Sequence, residues 1–223
     1  MKGRIQSTFY FFGLFGVVFI PAASFLVEFQ NGLATTIFGG LISLFGIADV
    51  SFSSDTTGLY LLMPILFLLA FLLGAFLNQS EKWRMQREKV LGLIRLVLIY
   101  YLASRLMVYG FDKIFKSQFY LPEPNILYTP FGQMTKDILF WSTMGTSKWY
   151  SILTGVFEVI PALLLCFKKT RTFGLFLIAF ILVNVLIINI GFDISVKLYS
   201  CFLLYLCLLL LSPNLKTIFL FFS

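Results

Sequence analysis

Charged residues are nearly absent from the long apolar runs of this chain and crowd the short connections between them. No charge at all occurs from position 5 to position 27. An α-helix needs about 20 mostly apolar residues to cross the hydrocarbon of a bilayer. Such runs are read at 8–27, broken near Pro21, and at 59–77, 90–111, 149–167, 172–192 and 198–211. The pattern predicts an all-α, polytopic transmembrane helix bundle of about six spans. Composition agrees, because 59% hydrophobic and 12% charged residues lie far from the roughly 25% charged content of a soluble domain.

Almost nothing of the 223 residues is left for an aqueous domain, which excludes a soluble catalytic module, a large receptor ectodomain and a nucleic-acid binder. The net charge of +7 is therefore read as membrane orientation, with the lipid bilayer as partner. The chain has no histidine, so histidine-ligated haem, histidine metal sites and a histidine general base are excluded unless another chain supplies them. No metal site is expected. Cys201 and Cys207 stand about 9 Å apart along one helix, too far for an unstrained bridge, and Cys166 stands alone, so three apolar thiols are expected.

Two short connections carry most of the positive charge: Lys82, Arg84, Arg87 and Lys89 in one, and Lys168, Lys169 and Arg171 in the other, two spans later. The positive-inside rule places both in the cytoplasm. Lys2 and Arg4 keep the N-terminus inside, and after six spans the tail past Pro213, with Lys216, also ends there. The expected location is the inner membrane of a bacterium, with both termini cytoplasmic. The head of the chain up to Pro21-Ala22-Ala23-Ser24 also has the look of a signal peptide. An anchor is the preferred reading, since the apolar run continues through Phe25-Leu26-Val27.

The segment 32–48 is almost long enough to cross, yet it contains Thr35, Thr36, Gly39, Gly40 and Ser43 and lies between Glu28, Asp49 and Asp55. A crossing there would force a basic segment outside, so it is read as a re-entrant or interfacial helix, with seven spans as the alternative. The loop 112–148 is the only sizeable aqueous connection. Its turn signals and scattered aromatics suggest a cap lying against the outer surface, with a short amphipathic helix at 136–144.

Charged groups inside a span usually face a partner or a water-filled cavity. Glu158 sits near the middle of its run, and Arg105 lies on the preceding span and is the expected partner. Tyr109 and Asp112 follow Arg105 on nearly the same helix face, Lys113 comes next, and Asn189 and Asp193 are spaced i, i+4 at the end of the fifth span. Arg105, Tyr109, Asp112, Lys113, Glu158, Asn189 and Asp193 are the candidates for a polar cavity open outward. The competing reading is a structural ion-pair network that rivets the helices. Arg95 can snorkel to the cytoplasmic headgroups. No dinucleotide fingerprint, P-loop or HExxH occurs, so any chemistry rests on carboxylates, Lys, Arg, Tyr or a partner chain.

The stretch Arg105-Leu-Met-Val-Tyr-Gly-Phe-Asp-Lys113, followed by Gly155-Val-Phe-Glu158, resembles the DoxX-like membrane family. There a core helix ends in Arg, Gly and Lys, and the next opens with Gly and carries an intramembrane Glu. The resemblance covers about 90–213 and implies a four-helix core with the outer loop 112–148, residues 1–89 being N-terminal membrane helices that include 32–48. The outer loop is longer than the family pattern. The family includes the small subunit type of thiosulfate:quinone oxidoreductase, so the resemblance implies a quinone as the cofactor, although no cofactor motif stands in the sequence. The expected role is a subunit or accessory of a membrane redox or envelope system, with a membrane partner chain. The rivals are a small-solute or lipid transporter using Glu158 and Arg105, and a purely structural subunit. Whether the chain is itself an enzyme stays open at this stage.

Overall fold

A computed structural model describes residues 2–21, 27–46 and 50–214. Among these residues the fold is all-α. The long helices are α1 (Lys2–Phe19), α2 (Val27–Ser43), α3 (Thr57–Leu77), α4 (Glu81–Ile114), α7 (Lys148–Cys166), α8 (Arg171–Gly191) and α9 (Lys197–Leu211). Between α4 and α7 come the short α5 (Pro124–Leu127) and α6 (Lys136–Thr146). Among the described residues five helices, namely α3, α4, α7, α8 and α9 with its final 3-10 turn, are long and apolar enough to cross a membrane. The protein is a membrane protein by that measure.

The apolar part of α1 is shorter, Ile5–Phe19. The first run was expected at 8–27, broken near Pro21; the helix starts earlier, at Lys2, and stops at Phe19, just before Pro21, which lacks the N–H a continuing helix requires. The segment 32–48 contributes to α2, which is not among the helices long and apolar enough to cross. The signal-peptide site at 22–24, Asp49 and the tail with Lys216 lie outside the described residues, as do the side chains of Lys2 and Arg4.

The chain divides into two compact units, one of Met1–Ile99 with Ser195–Leu210, the other of Tyr100–Ile194 with Leu211–Ser223. In the first, a β-carbon on Gly13 would touch Leu98 and Leu206 at 3.0 and 3.1 Å, so the missing side chain lets α1 lie close to both neighbours. Phe12 meets Tyr205 edge-on at 5.2 Å, and the Tyr205 hydroxyl donates to the Phe9 carbonyl at 2.8 Å. Asp55 accepts from the backbone N–H groups of Lys197 and Leu198, both at 2.9 Å, and so caps the orphan donors at the start of α9. Arg95, expected to reach the headgroups, donates to the Leu210 carbonyl at 3.3 Å.

In the second unit α7 and α8 pack as an antiparallel hairpin joined by a short turn. Gly174 lies so near α7 that a β-carbon there would stand 3.0 Å from the Pro161 carbonyl oxygen. Short amphipathic α6 was expected at 136–144 and forms over Lys136–Thr146. It is tied to its surroundings by Lys116, which donates to the Gly145 carbonyl at 2.6 Å, and by Ser151, which donates to the Met144 carbonyl at 3.1 Å. Phe119, Phe140 and Trp141 form a mutual aromatic cluster with ring centroids 5.4–6.2 Å apart, and Phe192 joins it at 4.9 Å from Phe140. This cluster roofs the site described next.

Candidate functional site

Where α4 meets α7, two glycines replace the side chains that would hold the backbones apart. A β-carbon on Gly110 would stand 2.8 Å from the Gly155 carbonyl oxygen and 3.2 Å from the Val159 nitrogen; one on Gly155 would stand 3.1 Å from the Ile114 nitrogen. Residue numbers rise on one helix as they fall on the other, so the two run antiparallel. Close approach through small residues is the usual packing solution for helices in lipid.

This contact fixes which cation Glu158 receives. Its carboxylate pairs with the Lys113 ammonium, both groups buried, and not with Arg105. The expected Arg105–Glu158 pair is thus corrected, and helix geometry gives the reason. Measured from the glycine contact, Lys113 lies about 4.5 Å along α4 in one direction, and Glu158 about 4.5 Å along α7 in the other. Side chains lean toward the N-terminus of their own helix. On antiparallel helices that lean carries Lys113 and Glu158 toward each other at the level of the glycines. Arg105, about 7.5 Å on the far side, leans further away. Direction acts the same way: at 100° per residue Lys113 points about 60° from Gly110, and Arg105 about 140°.

Arg105 is nevertheless buried. Its guanidinium lies over the Tyr101 ring, one turn N-terminal, at 5.4 Å from the centroid, while Nε and Nη1 have no hydrogen-bond partner among the described residues.

The Lys113–Glu158 pair lines a partly open cleft of about 340 Å³ formed by the end of α4, the loop after it, α6, α7 and α8. Its polar lining is Lys113, Glu158, Gln118, Thr154, Asn184 and Asn189; the rest is apolar and largely aromatic. Lys113 also lies 5.9 Å from the centroid of the Phe119 ring. Two acceptors in this lining, Glu158 Oε2 and Gln118 Oε1, have no hydrogen-bond partner among the described residues. The ion pair is neutral as a whole, so the cleft suits an uncharged molecule with hydrogen-bonding groups on a flat or apolar frame.

Of the seven candidate residues, the cleft brings together Lys113, Glu158 and Asn189. Arg105, Tyr109, Asp112 and Asp193 do not line it. Asp112 serves the turn after α4, accepting from the Ser117 hydroxyl at 3.0 Å on its carboxylate, while its carbonyl accepts from the Gln118 N–H at 3.1 Å. Asp193 is an exposed residue in the left-handed region, φ 55°, where the chain leaves α8, a conformation that Asp tolerates better than most. Sequence reasoning missed Asn184, Gln118 and the roof of Phe119, Phe140 and Trp141. Asn184 stands nine positions before Asp193, on the opposite side of the helix at 100° per residue, so a face drawn through Asn189 and Asp193 leaves it out. Among the described residues no three of His, Cys, Asp or Glu gather as metal ligands.

Over 111 residues the chain is 33% identical to the uncharacterized protein YwoB of Bacillus subtilis (strain 168), a match that covers 50% of this chain and 70% of that protein. No family model matches the chain, and no solved structure matches it.

Proposed function

The chain belongs to the family of that Bacillus subtilis protein, and from this premise we propose that it is a DoxX-like protein of the bacterial inner membrane whose cleft holds the head of a quinone-type amphiphile, as an accessory of a membrane redox system. One observation carries the reading: the Lys and the Glu of the resemblance, Lys113 and Glu158, are the two residues that meet, buried, in the wall of the aromatic cleft. A neutral ring flanked by oxygens matches such a lining. Lys113 has donors to spare for a carbonyl, Asn184 and Asn189 supply amides, and Phe119, Phe140 and Trp141 offer ring faces and edges. The volume is near the lower end for small-molecule pockets, which span about 300–1,000 Å³, and favours a ring system over a two-chained lipid. In this reading the chain binds and positions the molecule while a membrane partner carries out the electron transfer. The basic segments at 82–89 and 168–171 support cytoplasmic ends for α4 and α7 and an outer side for the cleft.

The protein purified from its native membrane should carry an extractable isoprenoid quinone. Titration with a decyl-tailed naphthoquinone should quench Trp141 emission in a Trp83→Phe/Trp149→Phe background, and Lys113→Ala should weaken that quenching at least tenfold. Absence of both retained quinone and quenching would sink the reading.

A further inference from the structure

The cleft has a gradient of exposure with a direction. Its polar end is closed: Lys113, Glu158 and Asn189 are 8%, 4% and 5% exposed, under the roof of Phe119 and Phe140. Its other side is open, with Phe157 at 65% and Phe180 at 63% exposed, and Tyr150 and Asn184 are exposed in the lining as well. Phe157 is the tenth of the 19 residues of α7, and Phe180 the tenth of the 21 residues of α8. Both helices are candidate spans, so these two rings stand halfway along them, about 15 Å from either helix end at 1.5 Å per residue. In a bilayer that is the level of the hydrocarbon, not of water.

We infer that the ligand reaches the cleft sideways from the bilayer, through a mouth between Phe157 and Phe180, and keeps a single hydrocarbon tail in the lipid while its uncharged head lies against Lys113, Glu158 and Asn189. This rests on the cleft being the binding site proposed above and adds the route and the class of ligand. A water-soluble solute has no path through a mouth at that depth, because its desolvation is unfavourable throughout. A two-chained phospholipid is excluded by the volume of about 340 Å³ and by the neutral ion pair, which offers its phosphate no net charge. A tail leaving between two phenylalanines stays in an apolar medium and loses nothing by transfer. The mouth thus selects for one chain and the closed end for a neutral polar head.

The test uses the full chain in phosphatidylcholine vesicles and a naphthoquinone whose ten-carbon tail carries a diazirine. Trp141 quenching reports binding of the head, and photolysis followed by digestion and mass spectrometry reports the position of the tail. The expected result is labelling on α7 and α8 around Phe157 and Phe180, removed at least fivefold by excess untagged decyl-naphthoquinone. In stopped-flow measurements Phe157→Ala and Phe180→Ala should each raise the association rate at least threefold, whereas Tyr120→Ala in the loop should leave it unchanged. Quenching accompanied by labelling on residues 120–146 would overturn the sideways route and leave the binding site standing. Loss of quenching by every probe would overturn both.

Discussion

Gly110 and Gly155 face each other across α4 and α7 so closely that a β-carbon on Gly110 would stand 2.8 Å from the Gly155 carbonyl oxygen. The ion pair of the site depends on this contact, since Lys113 and Glu158 meet only because the two backbones do. Gly155→Ala should destabilise the protein by about 1–3 kcal/mol, the usual range for overpacking a tight contact, and should weaken ligand-dependent quenching of Trp141. Gly132→Ala is the control, because nothing lies within 4 Å of a β-carbon there. Thermal unfolding in detergent measures both; equal melting temperatures for the two variants would show that the glycine contact carries no packing strain.

The Lys113 and Glu158 side chains are 10% and 5% exposed, so removing either one strands a charge inside the membrane domain. Lys113→Ala or Glu158→Ala should cost about 3–5 kcal/mol, and the double replacement Lys113→Met/Glu158→Leu should restore most of that stability. Ligand binding should not return with it. A double-mutant cycle separates this pair from the alternative: Lys113 and Glu158 should couple strongly, whereas Arg105 and Glu158 should add within about 0.5 kcal/mol. Strong coupling between Arg105 and Glu158 would contradict the observed pairing.

The spans were legible because apolar length is a local property of the sequence, as 59–77 shows in becoming α3. Glu158 and Lys113 were legible as polar groups in apolar runs. Their pairing was not, because depth alone puts Arg105 nearer to Glu158. The decision lies in the direction of each side chain about its helix and in its lean along the axis, and both require the glycine contact as reference. Gln118, Phe119 and Trp141 were hidden for a different reason. They lie in a loop and a short helix whose approach to α7 is set by hydrogen bonds to the carbonyls of Gly145 and Met144, which no periodicity announces.

Asp137, in the first turn of α6, has its carboxyl held below the usual carboxylate range, chiefly by the Thr135 side chain and then by backbone N–H groups at the start of the helix. A group depressed in this way favours the folded state above its unfolded value of about 3.9, and the contribution is lost as pH falls through the lower folded value. The amide signals of α6 should therefore hold steady between pH 5 and 8, values well above that range, and change only in stronger acid. Thr135→Val should raise the Asp137 midpoint toward the ordinary value in a carboxyl NMR titration. An unchanged midpoint would assign the depression to the helix N-terminus alone.

Orientation in the membrane follows from charge, and α4 offers the cleanest place to measure it. Lys82, Arg84, Arg87 and Lys89 lie in its first turns, whereas its other end leads into the long loop that carries the roof of the cleft. Positive residues act on topology mainly through short segments near a span, so the loop's own Lys116, Lys136 and Lys148 weigh less than the compact group at 82–89. Ser80 and Ser117 are both exposed and stand on either side of α4. Single cysteines placed there, in a background lacking Cys166, Cys201 and Cys207, should react with an impermeant maleimide from opposite sides of the membrane: Ser80→Cys only after the cells are permeabilised, and Ser117→Cys directly in intact cells. Labelling of both from one side would remove α4 as a span and with it the outward placement of the cleft.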